Sequence, residues 1–263
     1  MPTIAMTRAV SSSLGYCELT FIDRSQMDIS KAIDQHKTYR NLLSSLGVEV
    51  IELTSADDMP DAVFIEDTAV VLDEIAVLTR PGVESRRDEI QAVRECLRNF
   101  RPVYNIEEPA TIEGGDILRI GKKLFAGLTG RTNLHGIRQL QLMTADYGYQ
   151  VIPVPVKGCL HLKTACTFIG NNTVLINPNW INLDIFSGFE LIETDPFEAW
   201  AANTLKIGNS LLIPAGNPKT GEILESRGFN PVEIEISELQ KAEAGLTCLS
   251  LVFESEAGRK EER

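Results

Sequence analysis

The spacing of apolar and polar positions repeats along the chain. Four times a short β-rich run meets a tight turn and then a second such run. Val70-Val71-Leu72 turns at Asp73-Glu74 into Ile75-Ala76-Val77-Leu78, and Ile117 to Ile120 turns at Gly121 into Leu124-Phe125-Ala126-Gly127. Thr167-Phe168-Ile169 turns at Gly170-Asn171-Asn172 into Val174-Leu175-Ile176, and Thr204 to Ile207 turns at Gly208-Asn209 into Leu211-Leu212-Ile213. Each predicts a hairpin. Helical periodicity follows three of them, over Ser85 to Phe100, Thr132 to Tyr147 and Thr220 to Arg227, and an earlier helix is predicted over Ile29 to Leu46. Gly47, Gly148 and Gly228 stand between a helix and an apolar run, where glycine suits the left-handed end of a helix.

The unit is strand, strand, helix, strand, recurring roughly every 40 to 50 residues, a period typical of repeat architectures. Four or five such units predict radial stacking about an axis with a site at the hub. On the pattern alone, an ordinary α+β arrangement of the same units stays open. No Ser/Gly/Pro-rich linker divides the chain, which predicts a single domain over residues 1–254 and a disordered polar tail over 255–263.

Composition narrows the partners. At 263 residues with 43% hydrophobic and 24% charged positions, the chain reads as an ordinary globular protein. A net charge of −12 argues against nucleic acid or an anionic membrane surface and fits a small cationic ligand. The absence of a long apolar run and of a leader-like start predicts a cytoplasmic protein with no membrane partner. Five irregularly spaced cysteines (Cys17, Cys96, Cys159, Cys166, Cys248) predict free thiols. No CxxC pair or histidine cluster suggests a metal centre, and no cofactor is expected.

Histidine is scarce. His36 and His135 fall on predicted helices, whereas His161 lies at the edge of a short strand in Gly158-Cys159-Leu160-His161-Leu162-Lys163. A structural role is the ordinary reading of a single such histidine. Cys248 sits in a glycine-led loop entering an apolar strand, Ala244 to Leu251, where an inert core thiol is the common case. Glu113-Gly114-Gly115-Asp116 sets paired glycines between carboxylates, which suits either a plain turn or a close approach. Asp61, Glu66 and Asp67 flank the run Ala62 to Ile65 and can grip a guanidinium. Arg86-Arg87 and Arg131 are either surface arginines or a carboxylate site. Together these residues suit attack on a cationic amidine carbon that carries an amino-acid tail.

At these residues the chain resembles the guanidine-modifying superfamily, and within it the dimethylarginine dimethylaminohydrolases. The matching strings are Asp61 to Asp67, Leu78 to Gly82, Glu84 to Arg87, Glu113 to Asp116, Arg131 to Asn133, Leu160 to Lys163, Ala201 to Asn203 and Gly245 to Cys248, spanning about Thr7 to Phe253. The resemblance implies a five-bladed α/β propeller, the pentein fold. It also implies Cys248 as nucleophile, His161 as general acid/base and Glu113 as the residue that orients it. Asp67 with Glu66 is implied to hold the guanidinium, Asp61 the substrate amino group, and Arg86 and Arg131 its carboxylate. Leu19 falls on an implied flap and Ala242 at an implied backbone contact.

The implied reaction is hydrolysis of methylated arginine to citrulline and a methylated amine through a covalent S-alkylthiouronium. Lys163 stands where deiminases and amidinotransferases carry an aspartate, and Glu66 where deiminases carry arginine, both favouring the methylarginine hydrolase. A single-domain arginine deiminase or dihydrolase, or a hydrolase of another alkylguanidine, is the alternative. A non-catalytic ribosome-binding relative of the fold is the remote one. Some family members pair through a propeller edge, so a homodimer is expected. The surrounding acids are expected to raise the Cys248 pKa.

Overall fold

In a computed structural model that describes residues 1–255, fifteen strands form five three-stranded sheets. Four are continuous in the chain: β3 (Ala69–Val71), β4 (Ala76–Leu78) and β5 (Val103–Asn105); β6 (Ile117–Ile120), β7 (Lys123–Leu128) and β8 (Gln150–Pro155); β9 (Cys166–Gly170), β10 (Thr173–Ile176) and β11 (Glu190–Glu193); β12 (Leu205–Ile207), β13 (Ser210–Pro214) and β14 (Pro231–Ile234). The fifth joins β1 (Thr3–Arg8) and β2 (Glu49–Leu53) to β15 (Leu251–Glu254), so the two ends of the described chain close the ring. In every sheet the first two strands are antiparallel and the third lies parallel to the second. The parallel step needs a crossover. Helices α1 (Ile29–Ser45), α2 (Ile90–Leu97), α3 (Leu134–Thr144) and α5 (Pro218–Ser226) supply four of the five, and the β10–β11 crossover has only 3-10 helix at Leu183–Phe186. Two short helices, α4 (Leu162–Ala165) and α6 (Ser237–Gln240), lie outside this scheme.

The mixed α/β fold with five repeated sheets is the one expected. The four hairpins fall where their spacing places them, and Gly47, Gly148 and Gly228 take φ of 82°, 79° and 82° at the helix ends. Four local expectations need correction. The helix expected from Ser85 begins as 3-10 turn over Glu84–Glu89 and becomes α only at Ile90. The helix expected from Thr132 starts at Leu134, because the Asn133 side chain caps it by accepting from the Gly136 N–H at 2.9 Å. His161 precedes the one-turn helix α4 and does not lie on a strand. Ser255, expected to open the tail, is buried and donates its N–H to Pro2 O at 3.2 Å, while residues 256–263 lie outside the described ones.

Apolar side chains fill the gaps between neighbouring sheets and beneath the helices. Phe125 stacks on Phe186 with ring centroids 4.6 Å apart, and Ile4, Met6, Ile65, Leu78, Leu97 and Leu251 form one continuous cluster. Burying such side chains contributes about 1.5–3 kcal/mol each. The first strands β3, β6, β9, β12 and β15 surround a cavity of 790 Å³ that ends at Glu66, Gly114, Lys163 and Thr247. No helix among the described residues is long and apolar enough to cross a membrane.

Candidate active site

Each first strand is entered through a short turn, and these entries carry the polar residues singled out above. Glu66 and Asp67 lie on the 3-10 turn before β3, and Glu113 immediately precedes the turn before β6. His161 stands before α4 and β9, Asn203 just before β12, and Cys248 on the 3-10 turn Thr247–Leu249 before β15. The Ile65–Thr68 turn packs against both the Gly114–Asp116 and Thr247–Leu249 turns. Residues separated by up to about 180 positions thus meet at one end of the ring, as in the hydrogen bond between Glu66 and Thr247.

The glycines of Glu113-Gly114-Gly115-Asp116 serve close approach. A Cβ on Gly114 would lie 1.9 Å from the Glu66 carbonyl oxygen, and one on Gly115 would lie 2.6 Å from His161 Nδ1 and 2.7 Å from Asp67 Oδ1. The space beside Gly115 therefore belongs to the imidazole and the carboxylate. His161 is 3% exposed and its Nε2 lies 2.6 Å from Glu113 Oε2, while its Nδ1 lies 3.8 Å from Asp67 Oδ1. Burial disfavours the imidazolium, but Asp67, Asp116 and Glu113 outweigh it and push the His161 pKa up to about 9. Burial also opposes charge on Asp67, yet His161 and Arg86 prevail and its pKa falls to about 2.

Glu113 is fully buried and its Oε1 accepts from the Gly82 N–H at 3.0 Å and from Arg131 Nη1 at 3.4 Å. Asp116, pushed up to about 6 by burial, accepts from the Leu162 N–H and the Thr129 hydroxyl and so fixes the chain next to His161. Cys248 is 7% exposed, and its Sγ accepts from the Gly245 N–H at 3.3 Å. Burial first, then the charges of Glu66 and Asp67, hold its thiol far above the usual range. The charge direction matches the expectation from sequence, and burial adds the larger effect.

Other expected residues hold less obvious partners. Glu66 is paired with Lys163 and accepts from the Thr247 hydroxyl at 2.7 Å, so the lysine sets a cation against a buried carboxylate. Arg86 donates to Glu89 and to Asp67 Oδ2 (2.8 Å) and lies within 3.4 Å of the Asp61 and Phe64 carbonyls. Asp61 accepts from the Glu18 N–H, and Arg131 donates to the Thr20 hydroxyl at 3.3 Å. Leu19 and Ala242 pack in the apolar cluster that contains Cys248.

Sequence reading left several participants without a role. Asn203 holds the loop before Cys248, accepting from the Thr247 N–H at 3.0 Å and donating to its hydroxyl at 3.1 Å. It lies in the string Ala201-Ala202-Asn203, which is a signal without an indication of the partner. Glu89 is three residues from Arg86 on one turn, a spacing that announces the pair. His36 and Tyr39 of α1 brace the far side of the same loop: His36 meets the backbone of Leu249, and the Tyr39 hydroxyl lies 2.7 Å from Ser250 Oγ. Nothing in the helical spacing of His36 and Tyr39 distinguishes them from core residues. Among the described residues, Asp67, Glu113 and His161 bring ligand atoms within 4.8 Å of one another, but Asp67 and Glu113 already hold Arg86, Gly115, Gly82 and the imidazole. Those partners occupy both carboxylates of the donor set and leave the imidazole between them.

The family described as N,N dimethylarginine dimethylhydrolase, eukaryotic, matches residues 19–248. A dimethylarginine dimethylaminohydrolase of Streptomyces coelicolor is 39% identical over 94% of this chain and 95% of its own length. The Pseudomonas aeruginosa enzyme of the same name, solved as a cysteine-to-serine mutant complexed with citrulline, superposes with a TM-score of 0.89 at 32% identity, covering 96% of this chain and all of that one. The N-terminal domain of a cyanobacterial arginine dihydrolase shares the fold, with a TM-score of 0.86 at 20% identity over 95% of this chain and 97% of that one.

Proposed function

Because the chain belongs to the N,N-dimethylarginine dimethylhydrolase family, hydrolases of guanidino C–N bonds, we propose that it converts N-omega-methylated arginine to citrulline and methylamine or dimethylamine through a covalent adduct on Cys248. The observation that carries this reading is the buried imidazole of His161 held between Glu113 and Asp67, with the buried thiol of Cys248 in the field of Glu66 and the same Asp67. The substrate's guanidinium lies against Asp67, with Glu66 and its lysine partner behind. Asp61 takes the amino group. Arg131 takes the carboxylate, joined by Arg86 once Arg86 releases one of its internal acceptors. Leu19 and the backbone at Ala242 cover the ligand.

The resting site holds a neutral thiol and a protonated imidazole. A bound guanidinium offsets the negative field of Asp67 and Glu66, so the thiol loses its proton to solvent as the cation arrives. The thiolate attacks the guanidinium carbon, and the tetrahedral species expels the methylated amine as His161 delivers its proton to the leaving nitrogen. The now neutral imidazole takes a proton from water, the hydroxide adds to the thiouronium carbon, and collapse returns the sulfur and releases citrulline. Glu113 keeps the imidazole oriented and stabilises it in its charged form.

Two measurements separate this from the arginine dihydrolase alternative. Citrulline release from asymmetric dimethylarginine should exceed that from arginine, and ammonia should not dominate the products. Arginine as the preferred substrate would overturn the assignment. Cys248→Ser should stop turnover while still binding dimethylarginine, and substantial residual turnover rejects the nucleophile. An unreactive guanidinium that leaves the sulfur accessible should accelerate Cys248 alkylation by iodoacetamide, and an unchanged rate rejects the substrate-promoted thiolate.

A further inference from the structure

Residues 9–28, between β1 and α1, run against side chains assigned above to the substrate, and their one regular element is the 3-10 turn Leu14–Tyr16. Distant side chains hold them there. Two of these, Asp61 and Arg131, are assigned above to the substrate's tail, so their grip on Glu18 and Thr20 competes with the ligand. Asp57, Ser85, Glu238 and Lys241 hold Ser12, Glu18, Asp28 and Gln26, and Thr20 to Ile22 fall to Glu243. Its carboxylate accepts from the consecutive backbone N–H groups of Thr20, Phe21 and Ile22, at 2.9 Å and 3.0 Å for the outer two. Glu243 is 6% exposed and has no ion-pair partner among the described residues. A concave run of backbone N–H groups closed on one anion is a strong, geometrically selective contact.

The backbone at Glu243 gives a second, independent indication. Its φ is +61°, in the left-handed region that favours glycine, three residues past the last residue of α6. An L side chain kept in that conformation points to a use for the side chain. A cavity of 250 Å³ lined by Ile22, Trp200, Gln240, Glu243 and Ala244 adjoins the junction. Glu243 also lies on the loop that runs to Gly245 and Cys248, whose N–H and sulfur are joined.

From this juxtaposition we infer that Glu243 is a positioning residue that latches the 18–22 segment over the pocket and ties its closure to the nucleophile loop. The inference rests on the assignment of the Cys248 pocket as the active site. Its effect is on substrate retention, because a lid that opens freely lets the ligand leave without altering the chemistry at carbon.

Glu243→Gly removes the carboxylate and relieves the left-handed backbone, so folding is not the obstacle, and Glu243→Gln keeps shape and one acceptor oxygen without the charge. In Glu243→Gly, amide hydrogen exchange at Thr20, Phe21 and Ile22 should rise roughly tenfold or more, the scale of losing charge-assisted hydrogen bonds. Iodoacetamide should reach Cys248 faster and KM should rise by a similar factor, with kcat changing less than about threefold. Glu243→Gln should fall between. Unchanged exchange at those amides overturns the latch. So does exchange that rises throughout the molecule together with a lowered melting temperature, which would make Glu243 a general structural residue. Exchange and alkylation do not depend on which guanidine is hydrolysed. A normal lid response with no turnover of methylarginine therefore counts against the proposed function and not against the latch.

Discussion

Glu113→Gln isolates one contribution to the charge state of His161. The carboxylate is fully buried, its Oε2 lies 2.6 Å from His161 Nε2, and its Oε1 accepts from Gly82 and Arg131. A glutamine of the same shape keeps the Gly82 and Arg131 acceptor but turns an amide donor toward Nε2. That arrangement favours the neutral imidazole with its proton on Nδ1, facing Asp67. A buried hydrogen bond to a charged group contributes about 1.5–3 kcal/mol, which corresponds to a pKa change of about 1 to 2 units. The His161 pKa of about 9 should therefore fall toward roughly 7 to 8, held from below by Asp67 and Asp116, which remain.

The chain has three histidines, so a nitrogen-15 imidazole titration with the His36 and His135 signals assigned by substitution reads His161 directly. The alkaline limb of activity should move with it. The same group controls stability. Because His161 is raised when folded, its contribution is fully present below about 6.5, the unfolded value, and is lost as pH climbs through about 9. Wild-type protein should therefore lose stability between those limits, and the variant should lose less over a narrower interval. His161 still titrating near 9 in the variant would refute the argument, because Glu113 would then contribute nothing to the imidazolium.

Gly115→Ala places a methyl 2.6 Å from His161 Nδ1 and 2.7 Å from Asp67 Oδ1, and should cut kcat/KM at least about a hundredfold in steady-state assays, on the scale of an ångström misplacement in an active site. Asn203→Ala removes both of its hydrogen bonds to Thr247, whose hydroxyl keeps Glu66, and should cost about 1–3 kcal/mol in urea unfolding together with slower Cys248 alkylation in the presence of a guanidinium; a fully active, equally stable variant contradicts the positioning role. Lys163→Met leaves Glu66 buried without its cation, a loss of about 3–5 kcal/mol when the carboxylate is charged. Glu66 is already raised by burial, and without Lys163 it rises further, so the deficit should shrink as pH falls and Glu66 binds a proton. Melting temperatures at pH 5.5 and pH 8 measure this, and a deficit equal at both values contradicts it.

The four hairpins and the helices α1, α2, α3 and α5 are local events, so the spacing of apolar positions and the glycines at Gly47, Gly148 and Gly228 placed them to within a few residues. The candidate thiol, imidazole and carboxylates were likewise legible as residue types at turns, and the string resemblance attached roles to them. The fifth sheet was not legible from spacing, because β15 pairs with β1 across the whole length of the chain and neither strand carries the other's signature. The pairing of Lys163 with Glu66, the support of Thr247 by Asn203 and the clasp of Glu243 on Thr20 to Ile22 were hidden for the same reason. Charge and hydrogen-bonding capacity are written in the residue type, but which donor meets which acceptor depends on a ring closed by strands more than two hundred residues apart. The sequence therefore determined the repeated unit and the inventory of reactive groups. Only the closed ring decided that five strand entries converge, which acids share one imidazole and how deeply the thiol lies, because burial and proximity are properties of the assembled structure and together set the protonation of its groups.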